Sequence, residues 1–231
     1  MKPVHPFIHY FTRGERLLWG ISVLLILVSF FLFDRSSYLT LSASLIGVTS
    51  LIFLAKGNPV GQALMVLFSL LYGIISFSFA YYGEMLTYLG MTMPMAIAAL
   101  VSWLRHPYAG NRTEVEVARL NRKEWFLMWI LTVPVTAGFY FILKILHTSN
   151  LLPSTLSVTT SFIAVYLTFR RSPYYAIGYA ANDLILILLW GMASFQDPHY
   201  LSVAVCFAAF FVNDLYGFIS WRRMAQRQTN I

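Results

Sequence analysis

From Tyr200 to Trp221 the chain reads YLSVAVCFAAFFVNDLYGFISW, and this stretch decides the fold. It is apolar over more than the roughly 20 residues that a helix needs to cross a bilayer. Only Asn213 and Asp214 interrupt it with strongly polar groups. It is too long and too uniformly apolar for a strand of a membrane barrel. Working outward, seven more blocks of the same kind precede it. They run roughly Arg16–Phe33, Tyr38–Ala55, 60–82, 84–104, 125–146, 155–169 and 174–195.

Composition agrees. Hydrophobic residues make up 58% of the 231 and charged residues 11%, with a mean hydropathy of +0.68. A soluble domain carries about 25% charged residues. The expectation is an all-α, polytopic membrane protein of about eight transmembrane helices. The block at Leu17 to Phe33 has no small-x-small cleavage site after it and is read as a retained helix rather than a signal peptide.

The net charge of +7 does not point to nucleic acid, because the Lys and Arg sit in the connections between apolar blocks. With eight spans and both termini cytoplasmic, 14 of the 16 basic residues fall inside. These are Lys2, Arg13, Arg16, Lys56, Arg105, Arg112, Arg119, Arg122, Lys123, Arg170, Arg171, Arg222, Arg223 and Arg227; only Arg35 and Lys144 fall outside. That asymmetry is the positive-inside pattern of a multi-pass cell-membrane protein.

The chain also repeats itself. Ser44-Leu-Ile-Gly-Val48 matches Ser161-Phe-Ile-Ala-Val165, Ser102-Trp103 matches Ser220-Trp221, and Arg13-Gly-Glu15 matches Arg122-Lys-Glu124. Four spans per half give both halves the same orientation, a parallel repeat. Such repeats typify transporters whose sites lie between the halves.

Motifs for other functions are missing. There is no phosphate loop, HExxH or GxSxG. His5, His9, His106, His147 and His199 lie at or beyond span ends, and a lone Cys206 excludes an internal disulfide. No catalytic residue, metal site or cofactor is expected.

Two acids stand out. Asp183 and Asp214 are well inside apolar blocks, each preceded by an asparagine, Asn182 and Asn213. A carboxylate there costs roughly 2.5–3.5 kcal/mol on insertion scales and usually faces the bundle interior or a wet cavity. The two helices are antiparallel neighbours, so both Asn-Asp pairs are expected to face one cavity at similar depth. The competing reading makes these residues interhelical glue. Tyr179 and Trp190 share a helix face with Asp183 and are candidates for stacking on a flat ligand. Tyr72, Tyr82, Tyr88 and Tyr216 are further aromatic candidates. Trp103, Trp125 and Trp221, close to span ends, read as an interfacial aromatic girdle. Such a cavity suits a small aromatic solute with hydroxyls, and a ring cation would add a charge for the acids to meet.

Several motifs resemble those of the PnuC vitamin transporters. They are Ala55-Lys56-Gly57, Tyr72 through Ser76, Tyr82-Gly83-Glu84, Pro94-Met95 followed by Trp103, Tyr179-x-x-x-Asp183 with Trp190, and Gly217-x-x-x-Trp221. The resemblance covers nearly all of the chain beyond the first helix. It implies a SWEET-like architecture: an N-terminal helix (1–36), a three-helix bundle (37–104), a cytoplasmic loop (105–124), a linker helix (125–147), a second three-helix bundle (148–221) and a tail (222–231). It implies facilitated diffusion of nicotinamide riboside, trapped inside by phosphorylation, in a homotrimer. Thiamine, riboflavin, deoxynucleosides and a proton-coupled mode stay open. On this resemblance Asn182, Asp183, Asn213 and Asp214 bind polar or cationic parts of the substrate, and Tyr179, Trp190, Tyr72 and Tyr216 line the site. Phe68 and Ala96 stand where the family often has Asn and Gln. Polar recognition is therefore expected mainly from the second half.

Overall fold

A computed structural model describes residues 10–78, 82–148 and 150–229. Lys2, His5 and His9 lie outside the described residues. Among the described residues eight helices are long and apolar enough to span a membrane. They are α1 (Arg13–Phe33), α2 (Tyr38–Ala55), α3 (Pro59–Ser78), α4 (Tyr82–Arg105), α5 (Arg122–Ile145), α6 (Leu151–Phe169), α7 (Tyr175–Ser194) and α8 (Tyr200–Thr229). At 1.5 Å per residue the 30 residues of α8 reach about 45 Å, so its last turns project past a hydrocarbon core of roughly 30 Å.

The packing follows the repeat. Helices α2, α3 and α4 form one bundle and α6, α7 and α8 another. The bundles meet where α8 packs on α2 and, in the matching relation, where α4 packs on α6. Helix α1 lies against α2 and α8; α5 lies against α6 and the start of α4. Both outer helices keep most of their apolar surface exposed, with 22% of the span buried in α1 and 17% in α5. That is the surface lipid covers.

The two outer helices begin alike. Thr12 caps α1, its hydroxyl accepting from the Glu15 N–H while Glu15 accepts from the Thr12 N–H. Asn121 and Glu124 make the same reciprocal box at α5. Each box satisfies two orphan donors, and a good N-cap is worth about 1 kcal/mol. Each glutamate also ties its helix to the end of the adjacent bundle's first helix. Glu15 pairs with Lys56 at 3.3 Å, and Glu124 pairs with Arg170.

The segment after α4 departs from the plain polar loop read from sequence. It forms a hairpin, β1 (Pro107–Tyr108) with β2 (Asn111–Val115). Ala109 and Gly110, both at positive φ, make the two-residue turn favoured by right-twisted strands. The chain then crosses the bundle ends as a strap. The Val115 N–H donates to the Gly57 carbonyl at 2.9 Å and the Ala118 N–H to the Arg171 carbonyl at 3.0 Å. Gly57 and Arg171 hold matching places, each in left-handed backbone just past α2 and α6. The end of α8 fastens the strap: Gln228 bonds the Val117 N–H and the Val115 carbonyl, and Arg227 pairs with Glu114. All the described inside-assigned basic residues gather at this hairpin end, and Arg35 and Lys144 at the far end.

Helix α4 is not uniform. Residues Tyr88–Thr92 form a π turn in which the Met93 N–H reaches back to the Tyr88 carbonyl. Pro94 follows directly and has no N–H to continue an α ladder. The widened turn absorbs that break within a buried stretch of Tyr88, Met91 and Thr92.

Candidate functional site

The carboxyls of Asp183 on α7 and Asp214 on α8 meet at the centre of the second bundle, within hydrogen-bonding reach of each other. Both residues are 4% exposed. The antiparallel run of α7 and α8 brings the two positions to one depth. Asp183 Oδ2 has no hydrogen-bond partner. Tyr179, one helical turn before Asp183, sits beside both acids. Two carboxylates so close would repel strongly in a low-dielectric interior, so the pair must either share a proton or meet a positive charge.

The asparagines do something different. Asn182 accepts hydrogen bonds from Ser157 at 2.9 Å and Thr160 at 3.1 Å, both on α6. The Asn213 amide donates to Ser22 on α1 and to the Ala209 carbonyl, each at 2.8 Å. Each pair is therefore split, with the Asp turned to its fellow Asp and the Asn clipping a neighbouring helix. The two acids thus meet, and the expectation that the asparagines share their surroundings is corrected. Adjacent residues point about 100° apart around a helix, which forces this division.

Toward the far end lies a layer of rings. Tyr72 and Tyr88 are 4.5 Å apart between centroids, and Tyr72 meets Phe207 at 5.7 Å and Trp190 at 6.4 Å, both edge-on. Tyr88 is close to Asp183 on one side and Glu84 on the other. Tyr72 and Trp190 thus stand together, one layer above the acids. Toward the hairpin end, Tyr175 lies near Asp214 and packs on Trp221 at 5.0 Å. Trp221 in turn meets Trp103 at 5.3 Å. The acids are enclosed between two aromatic layers.

Three readings need correcting. Tyr216 is not with this group: its hydroxyl donates to Glu15 at 3.0 Å near the hairpin end. Tyr82 is 38% exposed at the start of α4. Trp103 and Trp221 are not girdle residues, since neither has any exposed surface. Each indole N–H donates to a carbonyl of the other half, Trp103 to Thr168 at 3.0 Å and Trp221 to Leu54 at 2.7 Å.

Sequence reasoning also passed over the buried polar residues that share the Tyr72 face of α3. Gln62, Met65, Ser69, Tyr72 and Ser76 recur along α3 at spacings of three and four and are all buried. The Gln62 Nε2 and the hydroxyls of Ser69 and Ser76 lack hydrogen-bond partners. The period-seven polar positions on an apolar helix were the available signal. Beyond the ring layer, a cavity of about 160 Å³ is lined by Glu84, Thr148, Asn150, Ser154, Trp190 and Gln196, among others. A narrower recess continues inward from it past Ser154, Ser157 and Ser161. Among the described residues no group of His, Cys, Asp and Glu is arranged to hold a metal.

This arrangement, a parallel repeat around enclosed acids and rings, is that of a carrier for a small solute. A family model described as nicotinamide mononucleotide transporter matches residues 37–223. The chain belongs to that family of membrane transporters. Among curated family members, the nicotinamide riboside transporter PnuC of Neisseria mucosa is 26% identical over 92% of this chain and 82% of its own. The protein of the same name from Haemophilus influenzae is 20% identical over 83% of this chain and 82% of its own. The crystal structure of the vitamin B3 transporter PnuC superposes with a TM-score of 0.82, covering 94% of each chain at 23% identity. It has the same fold as this family member.

Proposed function

We propose that this protein imports nicotinamide riboside across the cytoplasmic membrane by facilitated diffusion, with phosphorylation inside the cell retaining the substrate. The observation that carries this reading is the Asp183–Asp214 pair enclosed between Tyr72, Tyr88 and Trp190 on one side and Tyr175 on the other. A pyridinium riboside offers a cation to the acids, a flat ring to the aromatics and hydroxyls to the remaining polar groups. The names carried by the curated relatives point to the same substrate.

In this account the hairpin end is cytoplasmic, because the basic residues collect there, and both termini lie inside. The bundles 37–104 and 148–221 rock about the site, with the π turn and Pro94 in α4 as the point of flexure. Asp183 and Asp214 meet the ring cation, and Tyr179 contributes a hydroxyl beside them. Three copies associate through lipid-facing surface. A second reading, proton-coupled uptake, rests on the same carboxyl pair, since intramembrane acids are common proton relays.

Uptake of labelled riboside into proteoliposomes decides between these. Equilibration to the external concentration, unchanged by an imposed pH gradient, is expected. Accumulation driven by the gradient would replace the passive reading with the coupled one, and the absence of any riboside uptake would refute both.

A further inference from the structure

We infer that the far-end cavity is a separate waiting site, in which Glu84 holds an organic cation before it reaches Asp183 and Asp214. This rests on the riboside reading and on the orientation that makes the far end the outer mouth. Glu84 opens α4, and its carboxyl lies beside the Tyr72 hydroxyl at the floor of the cavity. Its Oε2 is buried and has no hydrogen-bond partner among the described residues. Among the described residues no basic side chain lines the cavity, and the other polar groups are neutral: Thr148, Asn150, Ser154 and Gln196. A half-buried carboxylate whose enclosed oxygen is unpaired, facing neutral donors and acceptors, needs a positive charge or a hydrogen-bond donor from outside.

The geometry separates this site from the inner one. Tyr88 is one turn along α4 from Glu84 and lies close to both Glu84 and Asp183. With Tyr72 it forms the layer between the two carboxylate sites. The π turn begins at Tyr88 itself. A change of backbone there moves the ring that divides the sites. The cavity, at about 160 Å³, is smaller than the usual 300–1,000 Å³ of a drug-sized ligand site. It holds one end of the solute, the cationic ring, with the rest still toward water.

Two variants test this through the half-saturation concentration for riboside uptake into proteoliposomes. Glu84→Gln removes the charge and is expected to raise that concentration on the order of tenfold, more than it changes the maximal rate. Gln196→Glu adds a carboxylate to the rim on an exposed connection and is expected to lower it. The wild-type value should also rise with ionic strength, and less so in Glu84→Gln. If Glu84→Gln does not fold, Gln196→Glu decides alone. An unchanged half-saturation in the folded variants overturns the waiting site. Wild-type protein that takes up no riboside overturns instead the functional reading beneath it.

Discussion

Trp103 and Trp221 stack with centroids 5.3 Å apart and planes tilted by 48°, each donating its indole N–H to a backbone carbonyl of the opposite half. The acceptors, Thr168 and Leu54, lie near the ends of α6 and α2. The pair therefore marks the axis that relates the repeats, at the hairpin end. Replacing either Trp by Phe keeps most of the ring but removes one of the two donors on its carbonyl, leaving the Gly57 N–H on Leu54 or the Arg171 N–H on Thr168. Each change is expected to cost about 0.5–1.5 kcal/mol. The double variant should deviate from additivity, because the rings touch. Thermal unfolding of the detergent-solubilised single and double variants checks both points.

The split of the Asn-Asp pairs predicts two classes of phenotype. Asn213→Ala removes the bond to Ser22 and loosens α1 from α8. Its effect should be a lower melting temperature, about 1 kcal/mol of stability, with riboside affinity retained. Asp214→Asn should do the reverse, weakening riboside binding at least tenfold while melting changes little. Parallel thermal-shift and binding titrations of the two variants read the difference; equal binding losses would mean the asparagine is also at the site.

Glycine substitutions test the close approaches. A Cβ on Gly61 would stand 2.7 Å from the Leu54 backbone nitrogen, an atom that cannot move aside. A Cβ on Gly90 meets nothing within 4 Å. Gly61→Ala is expected to destabilise by about 1–3 kcal/mol. Gly90→Ala should be neutral or stabilising in the same melting assay.

The Glu15 carboxylate joins three parts of the hairpin end, capping Thr12 and meeting Lys56 and Tyr216. Glu15→Gln retains the cap and the hydroxyl contact but loses the ion pair. A modest cost of about 0.5–1 kcal/mol is expected, since the Lys56 side chain is 22% exposed. Glu15→Ala also loses the cap and should cost about twice as much. Comparing both melting curves at low and high salt separates the charge from the cap.

Much of the fold was legible before any coordinates. Apolar runs of span length and the placement of Lys and Arg depend only on the solvent, so Tyr38–Ala55 and Tyr200 onward could be read directly. The capping boxes at Glu15 and Glu124 were visible as a repeat without their role being evident. What escaped depends on neighbours. Trp103 and Trp221 sit near span ends, as girdle residues do, and only the pseudo-symmetric packing turns them inward. Asp183 and Asp214 could be singled out because a buried charge is rare. Their asparagine neighbours looked equivalent because a linear sequence does not tell which helix each side of α7 and α8 will meet. Glu84 looked like an ordinary span-edge acid because the cavity above it is built from distant parts of the chain, the α5–α6 connection, the start of α6 and the end of α7.

The most direct measurement of the central claim is calorimetric titration of nicotinamide riboside into purified wild-type protein, Asp183→Asn and Asp214→Asn. Saturable wild-type binding is expected, weakened at least tenfold, or about 1.4 kcal/mol, in each variant that still melts cooperatively. Wild-type affinity in both folded variants would contradict the account, because the paired acids would then have no part in holding the substrate.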